Sequence, residues 1–183
     1  MTYWPQDQIA KLKKAGDTGP IQVAFGSVHT RMPTIASVKA GDILYPVTTM
    51  SGTLCVMARL PVEKKEPAYD YLVRELGNQC GALVPDGLDE YAYYDTPILP
   101  HKEHQRPFNC CAKHAVSGAH GSSIEPRLLP KEILPDLRFG PNGKEKGIKF
   151  LQSGAIQTNC LVFTRRLDDK TFAIFEALFE NEA

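Results

Sequence analysis

Between Arg31 and Glu63 the chain has little choice but to form paired strands. The runs Ile43 to Thr48 and Leu54 to Val62 are rich in Ile, Leu, Tyr, Val and Met. Turn-forming residues bound them: Lys39-Ala40-Gly41-Asp42 before the first, and the polar bend from Met50 to Thr53 between the two. This is a β-meander, and its alternation places Ile43, Tyr45, Val47, Leu54 and Val56 on a core-facing side. The same periodicity adds Leu72, Leu76, Leu134, Leu137, Leu161, Phe163 and Phe175 to the expected core.

The flanking segments surround the meander with helices. Gln6 to Ala15 carries Ile9 and Leu12 three apart, with Gly16 as a stop, and Pro20 to Phe25 reads as a strand. Pro67 to Leu76 has Tyr69, Leu72, Val73 and Leu76 at helical spacing, opened by Pro67 and closed by Gly77. Gly81 to Pro100 is acidic and broken by prolines, a long excursion with room for one short strand. The spacing predicts a short helix over Phe108 to Ala119, a strand at Ile124 to Leu128 and a helix from Pro130 to Gly140. Strands at Lys149 to Ile156 and Asn159 to Arg166 and a helix at Thr171 to Phe179 close the chain. Residues 1–183 then form one α+β domain, a small curved, mostly antiparallel sheet or pseudo-barrel capped by helices, with an acidic segment inserted at about 77–107.

A domain of 183 residues buries about 70% of the surface its unfolded chain exposes, so it needs no disulfide or metal staple. The five cysteines are odd in number and include the adjacent pair Cys110 and Cys111, a poor disulfide framework. With no apolar run long enough to span a membrane and no secretory leader, the expectation is a cytoplasmic protein with reduced thiols. The formal charge is zero but unevenly spread: +3 over residues 1–62, −5 over 63–100, +4 over 101–150 and −2 over 151–183. That excludes a protein basic throughout, and confines any nucleic-acid contact to a local patch.

One frame resembles a known group. A polar loop ending in Arg31-x-Pro33 leads to Gly41-Asp42-x-x-Tyr45-Pro46-Val47, a polar turn, and a strand ending in Ala58-Arg59-Leu60-x-Val62. This is similar to bacterial proteins of the broad PUA-like group, which includes EVE and ASCH domains. The later run from Cys110 to Leu137, with Gly118, Gly121, Ile124 and Pro130, resembles the second half of an uncharacterised branch of it. The resemblance implies a pseudo-barrel under helices, with a groove that in relatives receives a nucleotide or flipped base.

Candidate chemistry is sparse. His101, His104, Cys110, Cys111, His114 and His120 are metal-ligating residue types, but no Cys-x-x-Cys spacing organises them, so no metal and no cofactor are expected. In a helix Cys110 and Cys111 would lie four and three residues from His114, within reach for a nucleophile and base; buried inert cysteine accounts for them as well, and no catalytic residue is assigned. Gly140-Pro141-Asn142-Gly143-Lys144 lacks phosphate-loop spacing and reads as a turn. The expected ligand contacts are Phe25, Ser27, His29, Thr30 and Arg31, in the loop between the Pro20 to Phe25 strand and the meander, with Arg59 pairing Arg31 as a clamp for phosphate or carboxylate. Two functions fit. One is a non-catalytic module that recognises nucleic acid or a nucleotide-like ligand in a barrel-mouth pocket. The other is an immunity or antitoxin protein whose acidic segment, including Asp86, Asp89 and Glu90, binds a basic toxin directly. A ribonuclease using Arg, His and Lys is a third and weaker option.

Overall fold

The computed structural model describes residues 1–26, 34–76, 92–93, 102–107 and 111–180. Its strands are β1 (Thr2–Tyr3), β2 (Val23–Gly26), β3 (Ile43–Leu44), β4 (Pro46–Met50), β5 (Thr53–Val56), β6 (Leu60–Pro61), β7 (Lys64–Pro67), β8 (Ala92–Tyr93), β9 (Cys111–Ala112), β10 (His114–Ser117) and β11 (Arg127–Leu128). The helices are α1 (Gln6–Ala15), α2 (Ala68–Leu76) and α3 (Asp169–Ala177), with tight 3-10 turns at Glu103–Gln105, Lys131–Asp136 and Thr158–Cys160. The class is α+β, built on small sheets. One sheet has the order β1-β4-β5-β11, a second β2-β10-β7, and β3-β6 and β8-β9 are pairs. All pairings are antiparallel except β1 with β4, and among the described residues the sheets do not close into a barrel.

The meander is present, folded as one long hairpin with a break in each arm. Met50 pairs with Thr53 across Ser51 and Gly52, which take φ of 52° and 75°, the left-handed pair that a two-residue hairpin turn demands. Below that tip β4 pairs with β5, and further down β3 pairs with β6. Alternation sends Val47, Leu54 and Val56 into one core, with Tyr45 beside them. Leu44 and Cys55 enter another, so both faces of this hairpin are buried. The first core gathers Leu134, Leu137, Leu161 and Phe175. The second holds Trp4, Leu12, Ile21, Ile35 and Leu60, and a third packs Val23, Tyr71, Leu72 and Ala115.

The helix expected over Phe108 to Ala119 is replaced by strands from Cys111 onward; Phe108 to Cys110 lie outside the described residues. Ala115 and Val116 are both fully buried because β10 is the central strand between β2 and β7, and burial on both faces erases the alternation that marks a strand. Gly118 is no helix stop: a Cβ there would lie 2.0 Å from the Pro61 carbonyl oxygen, so the residue is glycine to let two backbones meet. The closing strands also fail to form. Lys149 to Ile156 is a turn with a single bridge from Phe150 to Ile156, and Asn159 to Arg166 begins in the Thr158–Cys160 turn and continues irregularly. The helix from Pro130 is the 3-10 turn Lys131–Asp136, interrupted by Pro135, with Leu134 and Leu137 inward.

Most expected core residues are buried. The exceptions are Ile43, only half-buried, and Phe163, which is 60% exposed because no strand holds it against the core. The side chain of Leu76 is outside the described set. No helix among the described residues is long and apolar enough to cross a membrane.

The two phenylalanines give a direct check. Phe175→Ala is expected to cost about 3–5 kcal/mol through the cavity it leaves. Phe163→Ala should change stability by no more than about 0.5 kcal/mol. Urea unfolding of the two variants beside wild type measures both.

Candidate ligand groove

Residues 164–167 have few ladder partners, yet they are firmly held. The Arg165 N–H donates to the Met1 carbonyl at 2.9 Å, and the Met1 amine donates back to the Arg165 carbonyl at 2.7 Å. On the other side Phe139, almost fully buried, forms bridges to both Lys146 and Leu167, and the Gly140 N–H donates to the Arg166 carbonyl at 2.9 Å. The Gly140 to Lys144 turn closes this loop, with the Lys144 N–H on the Pro141 carbonyl and Gly143 at φ 75°. The outcome is a short irregular rail with cavities around it.

Three cavities share Arg165. One of about 550 Å³ lies against Lys39, Asp42, Tyr45, Asp169 and Phe172. A second of about 550 Å³ is bounded by Gly140 to Asn142, Phe163 and Arg166. A third, about 210 Å³, is bounded by Lys146, Lys149, Gln157 and Cys160. Ser37, Thr164 and Arg166 line both larger cavities, so they read as one groove crossing the rail. The Arg165 guanidinium lies 5.9 Å from the exposed Phe163 ring, and its Nε is buried with no hydrogen-bond partner among the described residues. A buried cationic donor left unpaired is costly, and the terminal guanidinium nitrogens, which also make no hydrogen bond among the described residues, are the donors an arriving anion would meet.

The segment leading into the rail is rich in cations. Residues 138–166 carry six cations, Arg138, Lys144, Lys146, Lys149, Arg165 and Arg166, and one carboxylate, Glu145, a net +5. Division of the chain at residue 150 hides this patch, because Arg165 and Arg166 are then counted with the acidic closing helix. Summing charge over 138–166 would have found it; the exposure of Phe163 was hidden behind its strand-like neighbours.

The expected contacts fall differently. Ser27, His29, Thr30 and Arg31 lie outside the described residues. Phe25 packs edge-on against Tyr71 with centroids 5.6 Å apart. Arg59 is engaged by Glu176 through two bonds, Nε to Oε1 at 2.6 Å and a terminal nitrogen to Oε2 at 3.1 Å. Tyr45 donates its hydroxyl to the same Oε1. Burial pushes the Tyr45 phenol up, with the Glu176 carboxylate adding to it; burial also raises Glu176, but the bonds from Arg59 and Tyr45 outweigh it and hold that carboxyl below its usual range. A phosphate at Arg59 would have to displace Glu176.

Of the histidine and cysteine cluster, the described side chains are those of His104, His114 and His120. His101, Cys110 and the Cys111 side chain lie outside the described set, His114 sits in β10, and His120 is exposed. Among the described residues no three His, Cys, Asp or Glu side chains come together as metal ligands. His104 instead meets a partner that no local spacing announces. Its Nδ1 is 2.8 and 3.0 Å from the Asp17 carboxylate oxygens, and its backbone N–H donates to Asp17 at 2.7 Å, all fully buried. An ionised carboxylate has no proton to give, so Nδ1 carries the hydrogen. His104 Nε2 then faces the interior without a partner among the described residues. The pair ties the Glu103–Gln105 turn to the end of α1, where the Gly19 N–H also donates to Asp17 at 3.0 Å. The acidic residues Asp86, Asp89 and Glu90 lie outside the described residues. In comparisons with known proteins, no family model, curated protein or solved structure matches this chain.

Burial raises the Asp17 carboxyl, but the ring and backbone hydrogen bonds from His104 overcome it, and the net shift is downward from 3.8. A depressed folded value stabilises the fold above the unfolded pKa, and this stabilisation is lost as pH falls through the folded value. Asp17→Asn is therefore expected to lose about 1.5–3 kcal/mol at pH 7. The gap from wild type should narrow once the medium is more acidic than about pH 4. Urea midpoints for both proteins at pH 7 and at about pH 3 test the sign.

Proposed function

We propose that the chain is a non-catalytic binding protein for a phosphate-bearing ligand, nucleic acid or nucleotide, held in the groove around Arg165. The observation that carries this reading is the convergence of three cavities on one arginine whose Nε is buried and unpartnered, within a segment of net charge +5. Guanidinium offers phosphate two parallel donors, and an exposed phenylalanine beside it supplies a face on which a base can stack. The resemblance of the Arg31 to Val62 frame to the PUA-like group supports the same ligand class.

The test is titration of fluorescein-labelled single-stranded RNA and DNA by anisotropy at two salt concentrations. Arg165→Ala is expected to weaken binding at least about tenfold, and to lower the slope of log affinity against log salt by about one. Arg165→Lys should recover only part of the loss, because an ammonium lacks the planar fork. Arg59→Ala removes the partner of Glu176, so its effect is expected on stability rather than on binding. Equal affinity for wild type, Arg165→Ala and Arg166→Ala would overturn the placement, and no binding of either nucleic acid would overturn the function.

A further inference from the structure

The cavity shared by Lys39, Asp42 and Phe172 differs in chemistry from the rest of the groove. Across Arg165 the lining is basic; here two carboxylates, Asp42 and Asp169, share the lining with Lys39, Arg165, Arg166 and two aromatic rings. Phe172 is 39% exposed and stands edge-on to the buried Tyr45 ring at 6.3 Å, so one ring backs the other and leaves a face open. Asp42 is positioned by its own turn, where Oδ2 accepts the Lys39 N–H at 2.8 Å; its Oδ1 has no hydrogen-bond partner among the described residues, and the carboxylate acts on the Met1 ammonium through charge alone. Asp169 opens α3 with its side chain exposed and likewise without a partner among the described residues; the neighbouring Asp168 makes the helix cap. At about 550 Å³ the space is within the usual range for small-molecule sites.

An ionised carboxylate can only accept hydrogen bonds. A flat ring lying on Phe172 with its edge toward Asp42 and Asp169 is held if that edge carries N–H donors, and repelled if it carries carbonyl oxygens. Adenine, cytosine and guanine each present an exocyclic amino group; uracil and thymine present a carbonyl in its place. A phosphate attached to such a ring would reach the cationic side of the rail at Arg165 and Arg166.

We infer that the Asp42, Asp169 and Phe172 cavity is a nucleobase pocket that selects amino-bearing bases over uracil and thymine. The inference rests on the proposed phosphate groove and adds to it a base preference. It requires Phe172 as the platform, the two aspartates as readers and Arg165 as the anchor for the attached phosphate. Neither aspartate touches phosphate in this arrangement, so their roles separate from that of the arginine.

The experiment measures affinity of the full chain for labelled eight-nucleotide RNAs of A, C or U alone, with CMP and UMP as unlabelled competitors to distinguish an oligonucleotide from a mononucleotide source. The A and C oligomers are expected to bind at least about fivefold more tightly than the U oligomer, the lower end of what one good base contact supplies. CMP should compete better than UMP if a single nucleotide suffices. Asp42→Asn with Asp169→Asn should bring the oligomers within about twofold of one another, and Phe172→Ala should weaken A and C more than U. Asp169→Asn alone, at an exposed position, gives a partial loss of preference if the double variant fails to fold. Equal wild-type binding of all three oligomers, with Arg165→Ala still weakening each, would overturn the base pocket and leave the phosphate groove standing. Binding of none would overturn both, and a preference untouched by the aspartate changes would overturn the assignment of the readers.

Discussion

The carboxylate of Glu176 joins parts of the chain that share no sheet. It receives the Tyr45 hydroxyl from the hairpin and both prongs of the Arg59 fork, residues 131 and 117 positions away. One turn of α3 therefore carries the polar lock in Glu176 and the apolar one in Phe175, whose ring is fully buried edge-on to Tyr45 at 5.4 Å. The two depend on each other: the ring packing places the carboxylate, and the ion pair satisfies a tyrosine hydroxyl that burial would otherwise leave without a partner. Arg127 lies over the Phe179 ring at 4.4 Å and extends the same contact to β11. Docking of α3 in turn sets the rail at 164–167 and hence the groove beside it.

How much could be read in advance depends on whether a residue's role is local. The helices α1 and α2 were legible because their bounds are chemical: Gly16 adopts the left-handed cap at φ 63° and Pro67 precedes α2, whereas α3 begins two residues before the expected Thr171, at the cap Asp168 forms by accepting the Thr171 N–H. The hairpin was legible for the same reason, through Ser51-Gly52 and Gly41-Asp42. What stayed hidden was set by distance along the chain. Asp17 meets His104 across 87 positions, and nothing near either residue foretells the pairing. Ala115 and Val116 resemble helix because both their faces are covered, and Phe163 resembles core because its neighbours alternate like a strand. The cations of the groove were visible one by one but not as a patch, since Lys146, Lys149 and Arg165 meet only after the turn at Gly140 and the bridges of Phe139 have formed.

The two polar clusters do different work. Around Glu176 the groups are a quarter to a third exposed, so water screens the pair and its value lies in orienting α3. Asp17 and His104 are sealed, and there the hydrogen bonds act without screening. Glu103, beside them, is buried as well; burial drives its carboxyl upward, and Arg106 and Lys11 draw it only partly back. This corner concentrates charge in the interior, whereas the groove concentrates it at the surface.

The single tryptophan, Trp4, lies 6% exposed in the core shared by α1 and the hairpin. With one indole in the chain, emission excited beyond the tyrosine absorption band has one source, and that source is shielded from solvent. A blue-shifted spectrum that moves red on unfolding reports the integrity of this core alone. Trp4 is not part of the groove lining, so this emission reports on the core rather than on the groove itself.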